Sequence, residues 1–384
     1  MKPWQHGYAL DELRALRQLF NRYEPFSFGR FAIPDEAQIA LALHQQEAAL
    51  LYADGKPAGM MIGKIAQRDS IRKDFVGRGF RVKQGDFCID HLTYVGDLPP
   101  SVVQEYLLIY AGNRSIWATI HAEDRDRIRL MEHLGFVVVG SKIAAGSEIY
   151  SILLRSNRPA IRLPEPLDPA HRPSLAQLSP AWITPGEVAS IISEIETSQA
   201  EWANHYSSYN LRKSWSAISL RGFSDDPSFI IKPAEMSRKW KAENPGMLAA
   251  EVRDTAMFDR FPTIRQLCSE SGSRFQRIRL MRVRAGDGAL SRHADIIDRE
   301  AGPLPGQISR LHIPIISDPC CRFTAWNLSG EMLSHHLSPG SLWYLDTRKP
   351  HAVSNEGSTS DRIHLVLDAI SDPILREAIA RAEA

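Results

Sequence analysis

The pattern of apolar and polar positions changes character about two thirds of the way along the chain. Before that point, apolar residues recur at helical spacing in segments such as 9–23, and short apolar runs between them predict strands. From residue 277 onward, short β-type runs are separated by turns rich in Gly, Pro, Ser and Asp. The change predicts an α+β protein with two domains of different architecture.

A proline-rich segment lies between the two patterns. Seven prolines fall between residues 155 and 185, and proline removes a backbone donor and restricts the residue before it. We therefore predict an N-terminal domain over 1–160, an extended linker over 161–185 and a C-terminal domain over 186–384. The length of 384 residues agrees with two domains, because a single core rarely organises so long a chain.

Strands and helices alternate in the predicted N-terminal domain, which indicates an α/β fold. Asp54-Gly55 lies between two apolar runs and is a hairpin signal. Gly135 follows the last predicted helix as its C-cap residue. The pattern predicts strands over 48–52, 57–65, 87–95, 116–121, 137–139 and 149–154, and helices over 9–23, 101–110 and 124–134.

This order of elements, with the segments DGKPAGMMIG and DRIRLMEHLGFVVVGSK, resembles the GNAT-type N-acetyltransferase fold over residues 10–155. Enzymes of that fold bind the pyrophosphate of acetyl-CoA at a helix N-terminus, where backbone N–H groups face the anion. The corresponding segment here is GDLPPSVVQEY, in which Pro99 and Pro100 remove two donors. We therefore expect a GNAT-like domain that is not an active acetyltransferase; an active N-terminal acyltransferase in a bifunctional protein is the alternative.

Charge and cysteine content narrow the possible partners. The net charge of +1 gives no electrostatic reason to expect nucleic acid or an anionic membrane as a partner. The four cysteines show no C-x-x-C spacing and are typical of reduced thiols. The first residues lack the apolar core of a signal peptide, and no run reaches transmembrane length. We expect a cytoplasmic protein.

The segment SRHADIID carries the candidate metal ligands. Residues two apart on a strand point to the same side, so His293 and Asp295 can converge on one ion. His351 follows 56 residues after Asp295, which allows the chain to leave and return. A lone H-x-D is common in surface loops, but two imidazoles and a carboxylate on one face of an octahedral ion form the pattern of non-haem Fe(II) oxygenases. The sequence therefore predicts an iron site.

Arg362 is the candidate ligand of an organic acid. It stands eleven residues after His351, on the next predicted strand. A guanidinium group matches a carboxylate in two parallel hydrogen bonds, as the distal carboxylate of 2-oxoglutarate requires. A solvated edge residue is the alternative. However, Ile363, Leu365 and Val366 are apolar, and a buried arginine without an anion is costly. We predict that Arg362 binds 2-oxoglutarate.

Four separated segments resemble the aspartyl/asparaginyl β-hydroxylase family of Fe(II)/2-oxoglutarate oxygenases. They are RIRLMRVRAGDGALSRHAD, RLHIPI, PGSLWYLDTRKPHAVSN and DRIHLVLD, in that order, and the likeness begins near WSAISLRG. The resemblance implies a C-terminal double-stranded β-helix (jelly-roll, cupin-like) domain that uses Fe(II), 2-oxoglutarate and O₂. It implies that the iron ligands are His293, Asp295 and His351. It also implies that the residues beside 2-oxoglutarate or the substrate carboxylate are Arg362, Arg310 and His312.

The resemblance also implies a reaction. Some relatives replace the acidic iron ligand with a smaller residue, which frees a position for chloride; because Asp295 is present, hydroxylation is favoured over halogenation. The implied product is a hydroxylated amino-acid side chain, with release of succinate and CO₂. The amino acid can be free, peptidyl or carrier-tethered. The large added domain favours a peptide or tethered substrate that this domain docks. A non-catalytic jelly-roll binding protein is the remaining alternative.

Four arginines crowd one predicted strand and its end. Arg277 and Arg279 share one face of the strand, whereas Arg282 and Arg284 share the other. One pair can face a cavity and bind a carboxylate while the other is solvated. Ordinary surface charge on both faces is an equally consistent interpretation.

Overall fold

The computed structural model describes residues 26–29, 48–53, 56–75, 77, 79–94, 100–111, 114–156, 174–295 and 300–382. The chain divides into two compact units, one formed mostly by residues before 171 and the other mostly by residues after it. The predicted helix over 9–23 lies outside the described residues. No helix in the described ranges is long and apolar enough to cross a membrane.

The first unit is a mixed sheet with helices between its strands. Its elements are β1 (Phe26–Gly29), β2 (Ala48–Ala53), β3 (Lys56–Ile65), β4 (Ser70–Lys73), β5 (Gly79–Val82), β6 (Phe87–Tyr94), α1 (Pro100–Ala111), β7 (Ile116–His121), α2 (Arg125–His133), β8 (Val137–Ile143) and β9 (Ile149–Arg155). The sheet order is β2-β3-β6-β7-β9-β8, with β1 also paired to β6. Strands β6 and β7 are parallel, as their connection through α1 allows. The elements predicted over 87–154 agree with these bounds to within a few residues at each end.

Helix α2 shows why the bounds of elements in this unit could be predicted from the local sequence. The Asp124 side chain accepts a hydrogen bond from the backbone N–H of Arg127 and so caps the helix start. Gly135 has φ of +86° just after the helix end, a left-handed conformation that glycine adopts without steric cost. Between these ends, Ile128 and Met131 lie on the buried face. Capping and apolar spacing therefore define the same helix.

The second unit is dominated by strands. Its elements are β10 (Leu175–Ser179), α3 (Pro185–Ser198), β11 (Ala203–Asn204), β12 (Asn210–Leu211), β13 (Trp215–Gly222), α4 (Arg238–Glu243), β14 (Arg253–Asp254), α5 (Pro262–Glu270), β15 (Phe275–Val283), β16 (Ala289–His293), β17 (Ile308–Ile316), β18 (Arg322–Trp326), β19 (Met332–His335), β20 (Leu342–Leu345), β21 (His351–Ser354), β22 (Arg362–Ile370) and α6 (Pro373–Ala382).

The eight strands β15 to β22 form a jelly roll. Successive strands alternate between two sheets until β18 and β19, which form a hairpin, and then alternate again. The first pairs with the eighth and the third with the sixth in the larger sheet, β15·β22 and β17·β20. The second pairs with the seventh and the fourth with the fifth in the smaller sheet, β16·β21 and β18·β19. All four pairs are antiparallel, which is the order of a double-sheet jelly roll. The predicted β-rich second half is confirmed.

The larger sheet has a core on each face. On β22, Ile363, Leu365 and Leu367 pack into a cluster with residues of α3, α5 and α6. Val366, which points the other way, packs between the sheets with residues such as Phe323 of the smaller sheet. Because successive side chains on a strand alternate between faces, the even-numbered residues of β22 face the space between the sheets.

The described part of the predicted linker over 161–185 differs from an extended connection. Residues 157–173 lie outside the described residues, but Leu175–Ser179 form strand β10 at the edge of the larger sheet. Leu175 pairs with Leu345 and is 2% exposed. The prolines around this segment indicated an extended connection. Proline is tolerated beside an edge strand, however, so the apolar start of the segment can still pair with the sheet.

A core substitution on β22 tests the packing. Leu365 is fully buried in the cluster on the helix side of the larger sheet. We expect Leu365→Ala to lower the free energy of unfolding by about 2–5 kcal/mol, because it removes apolar contacts and leaves a cavity. Ile374→Ala is the control, since Ile374 is 81% exposed. Urea unfolding followed by circular dichroism measures both; equal stabilities of the two variants would contradict the described core.

Candidate active site

The three predicted iron ligands come together at one end of the smaller sheet. His293 ends β16, His351 begins β21, and the two residues are direct cross-strand partners whose ring centroids are 4.3 Å apart. The backbone N–H of Asp295 donates to the carbonyl of Thr347 at 2.7 Å, which fixes the chain just after β16. One ligand atom from each of the three residues lies within 4.8 Å of the others. This spacing fits a single metal ion.

Backbone carbonyls orient both imidazole rings. Nδ1 of His293 lies 2.7 Å from the carbonyl oxygen of Ser291, and Nδ1 of His351 lies 3.0 Å from that of Lys349. A carbonyl only accepts, so Nδ1 carries the hydrogen in each ring. The lone pair of each Nε2 is then free to bind a metal, which is the usual arrangement around metal-binding histidines.

Charges and burial keep the three side chains in the protonation state that a metal needs. Burial, assisted by His351, lowers the pKa of His293 to about 3. Burial acts to raise the pKa of Asp295, but Arg310 and the two histidines outweigh it and lower that pKa to about 2. Neutral imidazoles and an ionised carboxylate are the ligand forms for a divalent cation. The donor set therefore fits Fe(II).

An aromatic wall covers one side of the triad. The ring of Tyr209 stacks on His293 with centroids 3.7 Å apart and an interplanar angle of 7°. Trp215 and His205 lie beside it, with centroids 3.9 Å apart. Burial raises the pKa of the Tyr209 phenol. These rings restrict the imidazole of His293 and limit its contact with water. No motif in the sequence pointed to Tyr209 or His205, and Trp215 was noted only as the start of WSAISLRG.

Arg310 lies in the site in a different role from the one expected. Its Nη1 donates to Oδ2 of Asp295 at 2.8 Å, and its Nε donates to Oδ1 of Asp368 at 2.8 Å. The guanidinium therefore bridges two carboxylates of the protein itself. This contact holds the acidic metal ligand in place, and it leaves less of the fork for an external carboxylate.

Arg362 is a buried cation for which the described residues provide no anionic partner. It is 3% exposed, and its Nη2 donates to Nδ1 of His364 at 2.8 Å. Within the described part of the chain, no carboxylate lies at ion-pair distance from it, and its Nε has no hydrogen-bond partner. Burial lowers its pKa to about 10. His312, nearby, also has a buried Nε2 without a partner in the described structure. A dicarboxylate such as 2-oxoglutarate fits these unsatisfied groups.

One pocket collects all of these residues. It encloses about 590 Å³, including space open to solvent, between the two sheets of the jelly roll. It is lined by the six residues predicted from the sequence, His293, Asp295, His351, Arg310, His312 and Arg362.

Several solved structures are similar to about half of the chain. The prolyl-4-hydroxylase of Pseudomonas putida is 12% identical over 52% of this chain and 94% of that chain, with a TM-score of 0.30. The epimerase SnoN from nogalamycin biosynthesis, described as α-ketoglutarate-dependent, is 12% identical over 52% and 78%, with a TM-score of 0.34. A prolyl hydroxylase from Trichoplax adhaerens, solved with a peptide, is 9% identical over 55% and 88%, with a TM-score of 0.32. These likenesses are too distant to carry an argument about chemistry.

The comparison with models of protein families gives a more specific result than the comparison with solved structures. No curated protein sequence matches the chain significantly, but residues 187–372 match the model of the family described as Aspartyl/Asparaginyl beta-hydroxylase. The match includes all eight strands of the jelly roll but not the closing helix α6, and it includes all three ligands of the triad. Residues 187–372 are therefore similar to an aspartyl/asparaginyl beta-hydroxylase domain, and this part of the chain identifies the protein as a 2-oxoglutarate- and Fe(II)-dependent hydroxylase.

Proposed function

We propose that this protein is an Fe(II)/2-oxoglutarate-dependent dioxygenase that hydroxylates an amino-acid side chain and releases succinate and CO₂. The observation that carries this proposal is the neighbourhood of two features in one pocket. The triad His293, Asp295 and His351 offers the donors that Fe(II) prefers, and Arg362 is a buried cation without an anion among the described residues. The triad would hold the iron, and Arg362 would hold the 2-oxoglutarate that the same reaction requires.

The proposed roles follow from these contacts. When bound, iron would supply the activation of O₂ and the oxidative decarboxylation of 2-oxoglutarate. The triad would hold the iron from one side and leave the opposite positions open. Arg362 would bind the distal carboxylate of 2-oxoglutarate, and His312 would contact the same molecule through its free Nε2. Arg310 would keep Asp295 oriented.

Asp295 supports hydroxylation as the outcome. A carboxylate at this position occupies a coordination site that a halogenase needs for its halide. In this structure Asp295 is fixed by Arg310 through a 2.8 Å ion pair and by a backbone hydrogen bond to Thr347. A ligand held in two ways keeps that site filled, so transfer of hydroxyl is proposed.

The substrate is proposed to be an amino-acid residue that is free, peptidyl or carrier-tethered, with the first unit as a docking surface. We propose a GNAT-like fold for that unit, without acetyltransferase activity, and a cytoplasmic location, supported by four free cysteines. The bifunctional alternative requires acetyl-CoA binding. Calorimetry with acetyl-CoA tests this alternative. We expect no binding, because Pro100 at the start of α1 removes a donor from the expected anion site.

Reconstitution tests the proposed reaction. The protein is purified without oxygen, loaded with Fe(II) and 2-oxoglutarate, and exposed to O₂ with pools of amino acids, peptides and carrier-bound amino acids. We expect succinate to form only with Fe(II), and mass spectrometry to find a product with one added oxygen atom. Protein that holds iron stoichiometrically yet never forms succinate would favour a non-catalytic binding protein instead.

A further inference from the structure

The pocket contains a second cluster of arginines besides Arg362. Arg277 and Arg279 project from β15 toward Asp368 of the neighbouring strand β22. Nε of Arg277 donates to Oδ2 of Asp368 at 2.6 Å, and Nη2 of Arg279 donates to the same oxygen at 3.0 Å. Arg310 reaches the other oxygen of Asp368 from β17. One carboxylate is therefore shared by three guanidinium groups.

Strand pairing explains how these charges meet. Strand β22 lies between β15 and β17, and Arg277 and Arg310 both pair with Asp368 in register. Arg282 and Arg284 belong to the opposite face of β15 or to its end, and their side chains are 31% and 51% exposed. The first pair thus faces the pocket, and the second pair lies outside it and is partly exposed.

The charges of the pocket do not balance. Among the residues that the structure describes, its charged groups are the guanidinium groups of Arg277, Arg279, Arg310 and Arg362 and the carboxylates of Glu235, Asp295 and Asp368. Four positive groups against three negative ones leave one excess positive charge. Fe(II) and the 2-oxoglutarate dianion cancel each other when both bind. The loaded pocket therefore still carries one uncompensated positive charge.

Two buried nitrogen atoms indicate where the excess positive charge of the pocket lies. Nη2 of Arg277 and Nε of Arg279 are buried and have no hydrogen-bond partner in the described structure. Their residues are 2% and 3% exposed, yet both line the pocket. Burial and the charge of Arg277 lower the pKa of Arg279 to about 9. Buried donors without partners are costly, and an anion in the pocket would relieve that cost.

We propose that Arg277 and Arg279 bind a carboxylate of the substrate, so that this enzyme acts on substrates that carry a free carboxylate. This rests on the proposed function and narrows it. The carboxylate can be the α-carboxylate of a free amino acid or the side chain of an aspartyl or glutamyl residue. A thioester-tethered amino acid with a neutral side chain is excluded. Arg310 is not the primary group, because Asp295 and Asp368 occupy it.

Binding to the unsubstituted protein is the first test. The protein is loaded with Zn²⁺, which has no redox chemistry, and with 2-oxoglutarate. It is then titrated by calorimetry with free L-amino acids, with their C-terminal amides, and with N-acetylated, C-amidated aspartate and glutamate. We expect at least one carboxylate-bearing probe to bind, and the counterpart in which that carboxylate is an amide (the C-terminal amide, or N-acetylated, C-amidated asparagine or glutamine) to bind at least about tenfold more weakly. Preference for the free acids identifies the α-carboxylate, and preference for the blocked residues identifies the side chain.

Two results of this titration would overturn the proposal. One is that neutral amides bind as tightly as the acids, and the other is that none of the carboxylate probes binds. Fe(II)-dependent succinate formation without added substrate is measured in parallel on the same protein. If succinate forms while either result holds, this inference alone fails and the proposed function stands.

Substitutions separate the substrate site from the 2-oxoglutarate site. We expect Arg279→Met to raise the KM for the identified substrate by about tenfold to a hundredfold, with the KM for 2-oxoglutarate unchanged. Arg277→Met is a second variant with the same expectation. Arg284→Met removes the same charge from an exposed position and is the matched control. A raised KM for 2-oxoglutarate, with that of the substrate unchanged, would instead assign the pair to the co-substrate and contradict the proposal.

Discussion

His293→Ala is expected to abolish iron binding and succinate formation together. The substitution removes one of three ligands and also the ring that Tyr209 covers. Loss of a group that merely orients a metal ligand costs about 10–100-fold in affinity, so loss of the ligand itself should cost at least that much. We expect no Fe(II) above background by metal analysis of anaerobically dialysed protein, and succinate at the level of the reaction without enzyme.

The control for this variant is another histidine replacement. His133→Ala changes an exposed residue at the end of α2, in the first unit, and should keep both iron and activity. Circular dichroism spectra that coincide for the two variants would show that the fold is retained. If His293→Ala retained stoichiometric iron and turned over, the triad would be the wrong metal site.

The triad was predictable because it depends on short-range geometry. His293 and Asp295 differ by two positions at a strand end, so the period of a strand places both on one side. His351 needed more, because only the pairing of β16 with β21 brings it opposite His293. The sequence predicted the two strands but not their register. The order of the jelly roll supplies it, since the second strand pairs with the seventh.

The polar face of β22 was visible in the sequence but only partly recognised. Arg362, His364 and Asp368 share one parity, and with Val366 they form a continuous face between the sheets. Only Arg362 was predicted as a site residue, because it follows His351 on the next predicted strand. The two-residue period of the strand also places on this face His364, which accepts from Arg362, and Asp368, which accepts from the arginines.

Other parts of the site could not be derived from the sequence. Tyr209 lies 84 positions before His293, on a segment with no regular pattern, and only the tertiary fold stacks the two rings. Arg310 lines the same pocket as the triad, but its ion pairs depend on distances that a pattern cannot show. Local signals thus identified the chemistry, and tertiary packing decided which charges remain free.

Arg362→Ala is expected to raise the KM for 2-oxoglutarate by about tenfold to a hundredfold, because a charge-assisted hydrogen bond contributes about 1.5–3 kcal/mol. The iron content should not change, since Arg362 is not among the triad. Arg362→Lys keeps the charge but loses the fork, and an intermediate KM is expected.

Calorimetric titration of 2-oxoglutarate into the Zn²⁺-loaded variants measures the same effect without turnover. Arg322→Ala, an exposed arginine at the start of β18, is the matched control and should bind 2-oxoglutarate as the unsubstituted protein does. The contrast between Arg362 and Arg279 distinguishes the proposed 2-oxoglutarate site from the proposed substrate site. Each arginine faces the same pocket, yet Arg362 lacks any carboxylate partner in the described structure, whereas Arg279 already shares Asp368. If Arg362→Ala bound 2-oxoglutarate with unchanged affinity, the excess charge of the pocket would serve the substrate alone, and the co-substrate would need another anchor.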